Sequence, residues 1–144
     1  MQTISIIYRL SIAFWTGGLA LFTLVLTPIL FKTQSRDLAG RIVGALFPGY
    51  FRFGLACGAV ALSCHLILRN RNILPAVIIA VMLTLTLIQA FYIEPKAAAL
   101  KQQIPSFETT KDHPLRREFS KLHGISATFN LAVLGGGIIL IVLL

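Results

Sequence analysis

His123, Ser126 and Asn130 recur at spacings of three and four residues within FSKLHGISATFNL (119–131). On a helix, that spacing puts an imidazole, a hydroxyl and a carboxamide on one face. Gln89, Tyr92 and Glu94 close an earlier apolar stretch, and Arg52 lies near the start of another. A carboxylate, an imidazole and a guanidinium near one membrane face could bind a ligand or handle a proton. Ionisable groups at such depth are costly unless paired or solvated. In this scheme Glu94 binds a cation or exchanges a proton, and His123 assists as ligand or proton acceptor. Arg52 tunes the charge or contacts an anionic group, and Ser126 and Asn130 orient the ligand. The plainer alternative makes Glu94 an interfacial residue satisfied by Arg52 or Lys96. His123 and Asn130 then serve as interhelical hydrogen-bonding groups that fix packing.

The elements that must position these groups follow from composition. The chain has 144 residues, 56% hydrophobic and 12% charged. A soluble domain carries roughly a quarter of its residues as Asp, Glu, Lys and Arg. Here the charges cluster between four long apolar runs, at 10–31, 50–68, 73–93 and 122–144. At about 1.5 Å per residue the first run spans a hydrocarbon core of about 30 Å. It is too long for the apolar region of a signal peptide and reads as a retained helix. The expected fold is all-α, a single transmembrane four-helix bundle over 1–144. A long cytoplasmic loop or interfacial helix precedes the last helix. No length is left for a soluble catalytic domain, and no catalytic residue is assigned.

Several positions punctuate these runs. Thr16, Ala20, Thr23 and Thr27 form a less apolar stripe expected to face the bundle. Gly17 and Gly18 are expected to permit close helix approach, and Gly54 and Gly58 make a GxxxG pattern whose plain meaning is packing. Pro28 is expected to loosen the end of the first helix. Residues 32–49 read as an interfacial helix or an extension of the second, with Pro48 and Gly49 as a break. Pro95 is expected to end the third helix, and 106–118 reads as a mobile polar loop. Cys57 and Cys64 lie two turns apart, too far to bind one ion together, and read as core. His65 and His123 fall toward opposite ends, which argues against one haem held by both. The sequence contains no CxxCH, HExxH, Walker or dinucleotide motif.

The net charge is +8. Lys32, Arg36, Arg41, Arg52, Lys96, Lys101, Lys111, Arg116, Arg117 and Lys121 fall at one end of such a bundle. Arg9, Arg69 and Arg71 fall at the other. That asymmetry predicts loops one and three in the cytoplasm and both termini outside. The partners it implies are anionic lipid head groups, with a homo-oligomer or another membrane protein as further possibilities. Nucleic acid is not implied, because no water-exposed basic module exists.

The order of WTGG (15–18), LTPILF (26–31), AGRIVGALFPGYF (39–51), FYIEPKAAAL (91–100) and FSKLHGISATFNL (119–131) resembles the TMEM205-like family, also known as DUF4149. The resemblance implies a four-helix membrane domain and supplies no established bacterial reaction. A eukaryotic relative's association with resistance to platinum drugs implies export, trafficking or metal handling. The family-like positions include Glu94, Pro95, His123, Ser126 and Asn130.

The expected function is a non-enzymatic protein of the bacterial cytoplasmic membrane. It binds or helps move a small solute or ion through a polar pocket near the cytoplasmic face. Two rivals stand beside it: a redox protein or enzyme using a porphyrin, quinone or metal, and a structural subunit of a membrane complex. The cofactor, if any, is not identified by the sequence.

Overall fold

The structure, a computed structural model, describes residues 1–69, 71–107 and 113–144. Lys111, one of the basic residues weighed above, lies outside the described residues. Among those described there are four helices long and apolar enough to cross a membrane: α1 (Gln2–Thr33), α2 (Arg36–Ile67), α3 (Leu74–Gln102) and α4 (Pro114–Val142). The chain is a multi-pass membrane protein. Each helix packs on its sequence neighbours and α4 returns to α1, closing a four-sided bundle.

Local sequence explains where the helices start. The Ser35 hydroxyl accepts the Leu38 N–H at 3.3 Å. Asn72 Oδ1 accepts the Leu74 N–H at 3.1 Å, and His113 Nδ1 accepts the Leu115 N–H at 3.3 Å. Each side chain satisfies a donor that the first helical turn leaves free. Pro75 and Pro114 lie at the starts of α3 and α4, where a missing N–H costs nothing.

The helices are longer than the apolar runs. α1 begins at Gln2 rather than residue 10. Residues 36–49 extend α2 without a break, and Pro48 lies inside the helix. Aromatic packing holds it on both sides of that proline: Phe47 stacks on Phe51 at 5.5 Å, and Tyr50 on Phe22 of α1 at 4.4 Å. Pro95 does not end α3, which continues to Gln102. α4 starts at Pro114, so 114–118 is helix and not loop.

Small residues set the helix spacing. A Cβ on Gly58 would lie 2.6 Å from Leu83 Cδ2 and from Trp15 Cζ3, and one on Gly54 would lie 2.8 Å from Trp15 Nε1. The GxxxG face of α2 is therefore the seat of the Trp15 indole. Gly137 of α4 takes the Thr16 side chain of α1 in the same way. Gly18 meets Phe53, but Gly17 faces open space and makes no close approach.

Two apolar cores result. The larger joins Ile12, Trp15, Ala61, Ile79, Met82 and Val133. The smaller joins Ile93, Ala97, Leu100 and Leu122 near the basic end. Gln89, Ser126 and Asn130 fall between them along the chain.

Candidate functional site

The polar level between the cores begins with two faults in the helix backbone. In α1 the segment Leu21–Leu26 is π-helical, and the Thr27 N–H bonds the Phe22 carbonyl five residues back. In α3 the segment Gln89–Ile93 is π-helical, and the Glu94 N–H bonds the Gln89 carbonyl. Each π segment ends two residues before a proline, Pro28 or Pro95. The next donor along each ladder is therefore an imide nitrogen with no hydrogen.

The Thr23 carbonyl could accept from Thr27 at α-helical spacing or from residue 28 at π-helical spacing. Thr27 is bonded to Phe22, and residue 28 is proline, so neither donor serves it. The Ala90 carbonyl is left in the same position by Glu94 and Pro95. Such wide turns inside membrane helices recur at functional sites, because freed backbone groups need partners where water is scarce.

Side chains of the other helices complete the level. The Tyr50 hydroxyl of α2 donates to Asn130 Oδ1 of α4 at 3.2 Å. Ser126 of α4 donates to Gln89 Oε1 of α3 at 2.9 Å. Gln89 is 1% exposed, yet its Nε2 has no partner. A half-turn of this amide would let Nε2 donate to Ser126 and would instead leave Oε1 free, so one end is unsatisfied either way. A buried polar group in that state costs about 1–3 kcal/mol. Thr23 Oγ1 lies alongside the Tyr50 hydroxyl but in a geometry that makes no hydrogen bond. A crevice about the size of one water molecule opens among Trp15, Tyr50, Gly54, Thr86 and Asn130.

The structure thus brings together three of the residues singled out in the sequence: Gln89, Ser126 and Asn130. It separates four others from them. His123 faces outward and stacks on Phe119 of its own helix at 6.1 Å. Tyr92 is 64% exposed, and Arg52 also faces outward. These outward groups do not face the bundle interior. Glu94 lies half-buried one turn beyond the polar level, and the cation that acts on it is Lys101 rather than Arg52 or Lys96. Lys96 instead approaches Glu118 at 3.7 Å.

Lys101 ties α3 to α2 through a second small-residue step. A Cβ on Gly40 would lie 3.0 Å from Lys101 Nζ, and one on Gly44 would lie 3.7 Å away. Asp37 and Glu94 both attract the ammonium, and Arg41 repels it. Asp37 also accepts from Ser106 Oγ at 2.8 Å and from the Phe107 N–H at 2.9 Å. Replacing Asp37 with Ala is expected to speed hydrogen exchange at the Phe107 amide and leave the exchange of α1 unchanged. Exchange mass spectrometry with residue-level fragmentation reads both.

Among the described residues no group of three His, Cys, Asp or Glu is placed to hold a metal ion. Cys57 and Cys64 are free thiols. His65 is 4% exposed and lies against Tyr8, with ring centroids 5.9 Å apart.

The model of a protein family described as a domain of unknown function, DUF4149, matches residues 10–106. The chain belongs to the DUF4149 family. An uncharacterized protein of Aquifex aeolicus (strain VF5) is similar, with 31% identity over 123 residues. The match covers 85% of this chain and 83% of that protein. No solved structure matches. The DUF4149 match takes in α1 from residue 10 onward, α2 and α3, and with them both π segments and both following prolines. Ser126 and Asn130 lie beyond it.

Thr23, Ala90 and Lys101 were not singled out as site residues from the sequence. A signal for two of them was present: Thr23 and Ala90 each precede a proline by five residues. Five is the spacing of a π-helical hydrogen bond, so the same interval marks both freed carbonyls.

Proposed function

We propose that this protein binds a small polar solute or ion in the bundle interior and helps it across the bacterial cytoplasmic membrane. The two backbone faults are the observation that carries the reading. Thr23 and Ala90 leave carbonyls unsatisfied on α1 and α3, while Tyr50, Gln89, Ser126 and Asn130 supply hydroxyls and amides from the other faces. Interrupted helices with free carbonyls beside polar side chains are how many membrane transporters bind their substrates. Ten basic residues against three support loops one and three in the cytoplasm and both termini outside. The same reading takes the four helices as one transmembrane unit and the chain as TMEM205-like within its family. A crevice of one-water size supports movement that needs rearrangement or an oligomer rather than an open path.

A second reading has its own observation. Gln89 with Ser126, and Tyr50 with Asn130, are hydrogen-bonded pairs that could simply hold helices together in a structural subunit. Thermal melts in detergent separate the two. A panel of neutral, cationic and anionic small solutes is added to wild type and to Asn130→Leu. At least one class is expected to raise the wild-type Tm and leave the variant unmoved. A panel that shifts neither protein would overturn the binding reading and favour the structural one.

A further inference from the structure

We infer that the interior level takes one dehydrated monovalent metal cation of the sodium or potassium class. This rests on the binding reading above and names its ligand. The groups around the level present oxygen: the Thr23 carbonyl and hydroxyl from α1, the Tyr50 hydroxyl from α2, and Asn130 Oδ1 from α4. Thr23 Oγ1 and the Tyr50 hydroxyl are neighbours, and the Tyr50 hydroxyl is 3.2 Å from Asn130 Oδ1. Three side-chain oxygens from three helices therefore lie in series, and the freed carbonyl belongs to Thr23, the residue that begins the series. Gln89 and Ser126 present two more from α3 and α4, 2.9 Å apart and one turn of α4 away from Asn130. The Gln89 amide, 1% exposed with one end unsatisfied, can present its oxygen by the half-turn described above.

The charge of this set selects the ion. Every member is a neutral dipole. Hard cations bind oxygen, and divalent ions are held chiefly by carboxylates that offset their charge. Neutral carbonyls and hydroxyls suit a single positive charge, as in filters built from backbone carbonyls. The hydroxyls and the amide nitrogens of Gln89 and Asn130 can donate, but the freed Thr23 carbonyl and Asn130 Oδ1 have no hydrogen to give, and these two favour a cation. A crevice with room for one particle of water's dimensions opens beside Tyr50 and Asn130, and Thr23, Gln89 and Ser126 lie outside its lining. Glu94, half-buried one turn toward the basic end, supplies a carboxylate on the approach, with Lys101 as its countercharge.

The test is direct binding of radiolabelled sodium and rubidium, the latter standing in for potassium, to protein purified in detergent. N-methylglucamine chloride holds ionic strength constant. Saturable binding near one ion per chain is expected for wild type. Loss of one oxygen in Thr23→Val, or of the amide in Asn130→Leu, is expected to weaken it by about tenfold or more, the equivalent of one lost ligand contact. Thr128→Val removes a hydroxyl that bonds only its own helix at Gly124, and it should bind as wild type does. Asn130→Asp, which keeps the oxygen and adds charge, should retain binding and newly admit calcium. Absence of saturable binding, or binding undiminished in both Thr23→Val and Asn130→Leu, overturns the inference. If a neutral or anionic solute still stabilises wild type in the melts above, the binding reading stands and only its ligand is wrong.

Discussion

Gly58→Val should be strongly destabilising. A Cβ at this position already falls 2.6 Å from Leu83 Cδ2 and from Trp15 Cζ3. Leu83 can turn aside, because its Cδ2 ends a flexible side chain. Trp15 cannot, since the indole is 2% exposed and also rests against Gly54. The two extra methyls of valine must push α1 from α2 along their main contact. Overpacking of a tight core costs about 3 kcal/mol at the upper end of the usual range, which lowers Tm by roughly 6–12 °C in a chain of this size. Gly17→Ala is the internal control. Its Cβ would meet nothing within 4 Å, and alanine favours helix by about 0.5–1 kcal/mol over glycine. Melts of both variants in one detergent should move in opposite directions.

Asn130→Leu has the largest expected effect on function. Leucine keeps approximately the volume and removes the acceptor of the Tyr50 hydroxyl. Interhelical hydrogen bonds in membranes contribute only about 0.6 kcal/mol on average. The ligand-free Tm should therefore fall by a few degrees at most. Ligand binding at a hundredfold excess over Kd stabilises by about 2.7 kcal/mol, several times more. Losing the site should erase that increment while the fold persists. If Asn130 were packing alone, the variant would melt lower by the same margin in every buffer.

The four helices and their number were legible because long apolar runs separated by charge have one economical solution in a bilayer. Their ends were less legible. Pro48 and Pro95 carry the same residue type as true breaks, and only neighbouring packing and a widened turn let the helices continue. The site was half legible. Helical spacing put Ser126 and Asn130 on one face, and they do point into the bundle level shared with Gln89. His123 belongs to the same pattern by spacing but faces outward. Its ring stacks on Phe119 of the same helix, and a three-residue interval leaves a side chain free to lie at the stripe's edge. Arg52 and Tyr92 were grouped with the site by depth alone, which fixes distance along the helix and says nothing about direction around it. The freed carbonyls of Thr23 and Ala90 belong to the backbone, and residue types reveal them only through the proline five positions on.

In the proposed function these two backbone faults create the binding level. The measurement that tests it is the melt of Pro28→Ala/Pro95→Ala beside wild type, with and without the stabilising solute. Alanine restores an N–H at each position, so the Thr23 and Ala90 carbonyls regain donors in their own helices. The double variant is expected to be at least as stable as wild type without solute and no longer stabilised by it. A double variant that keeps the full solute-dependent shift would contradict it.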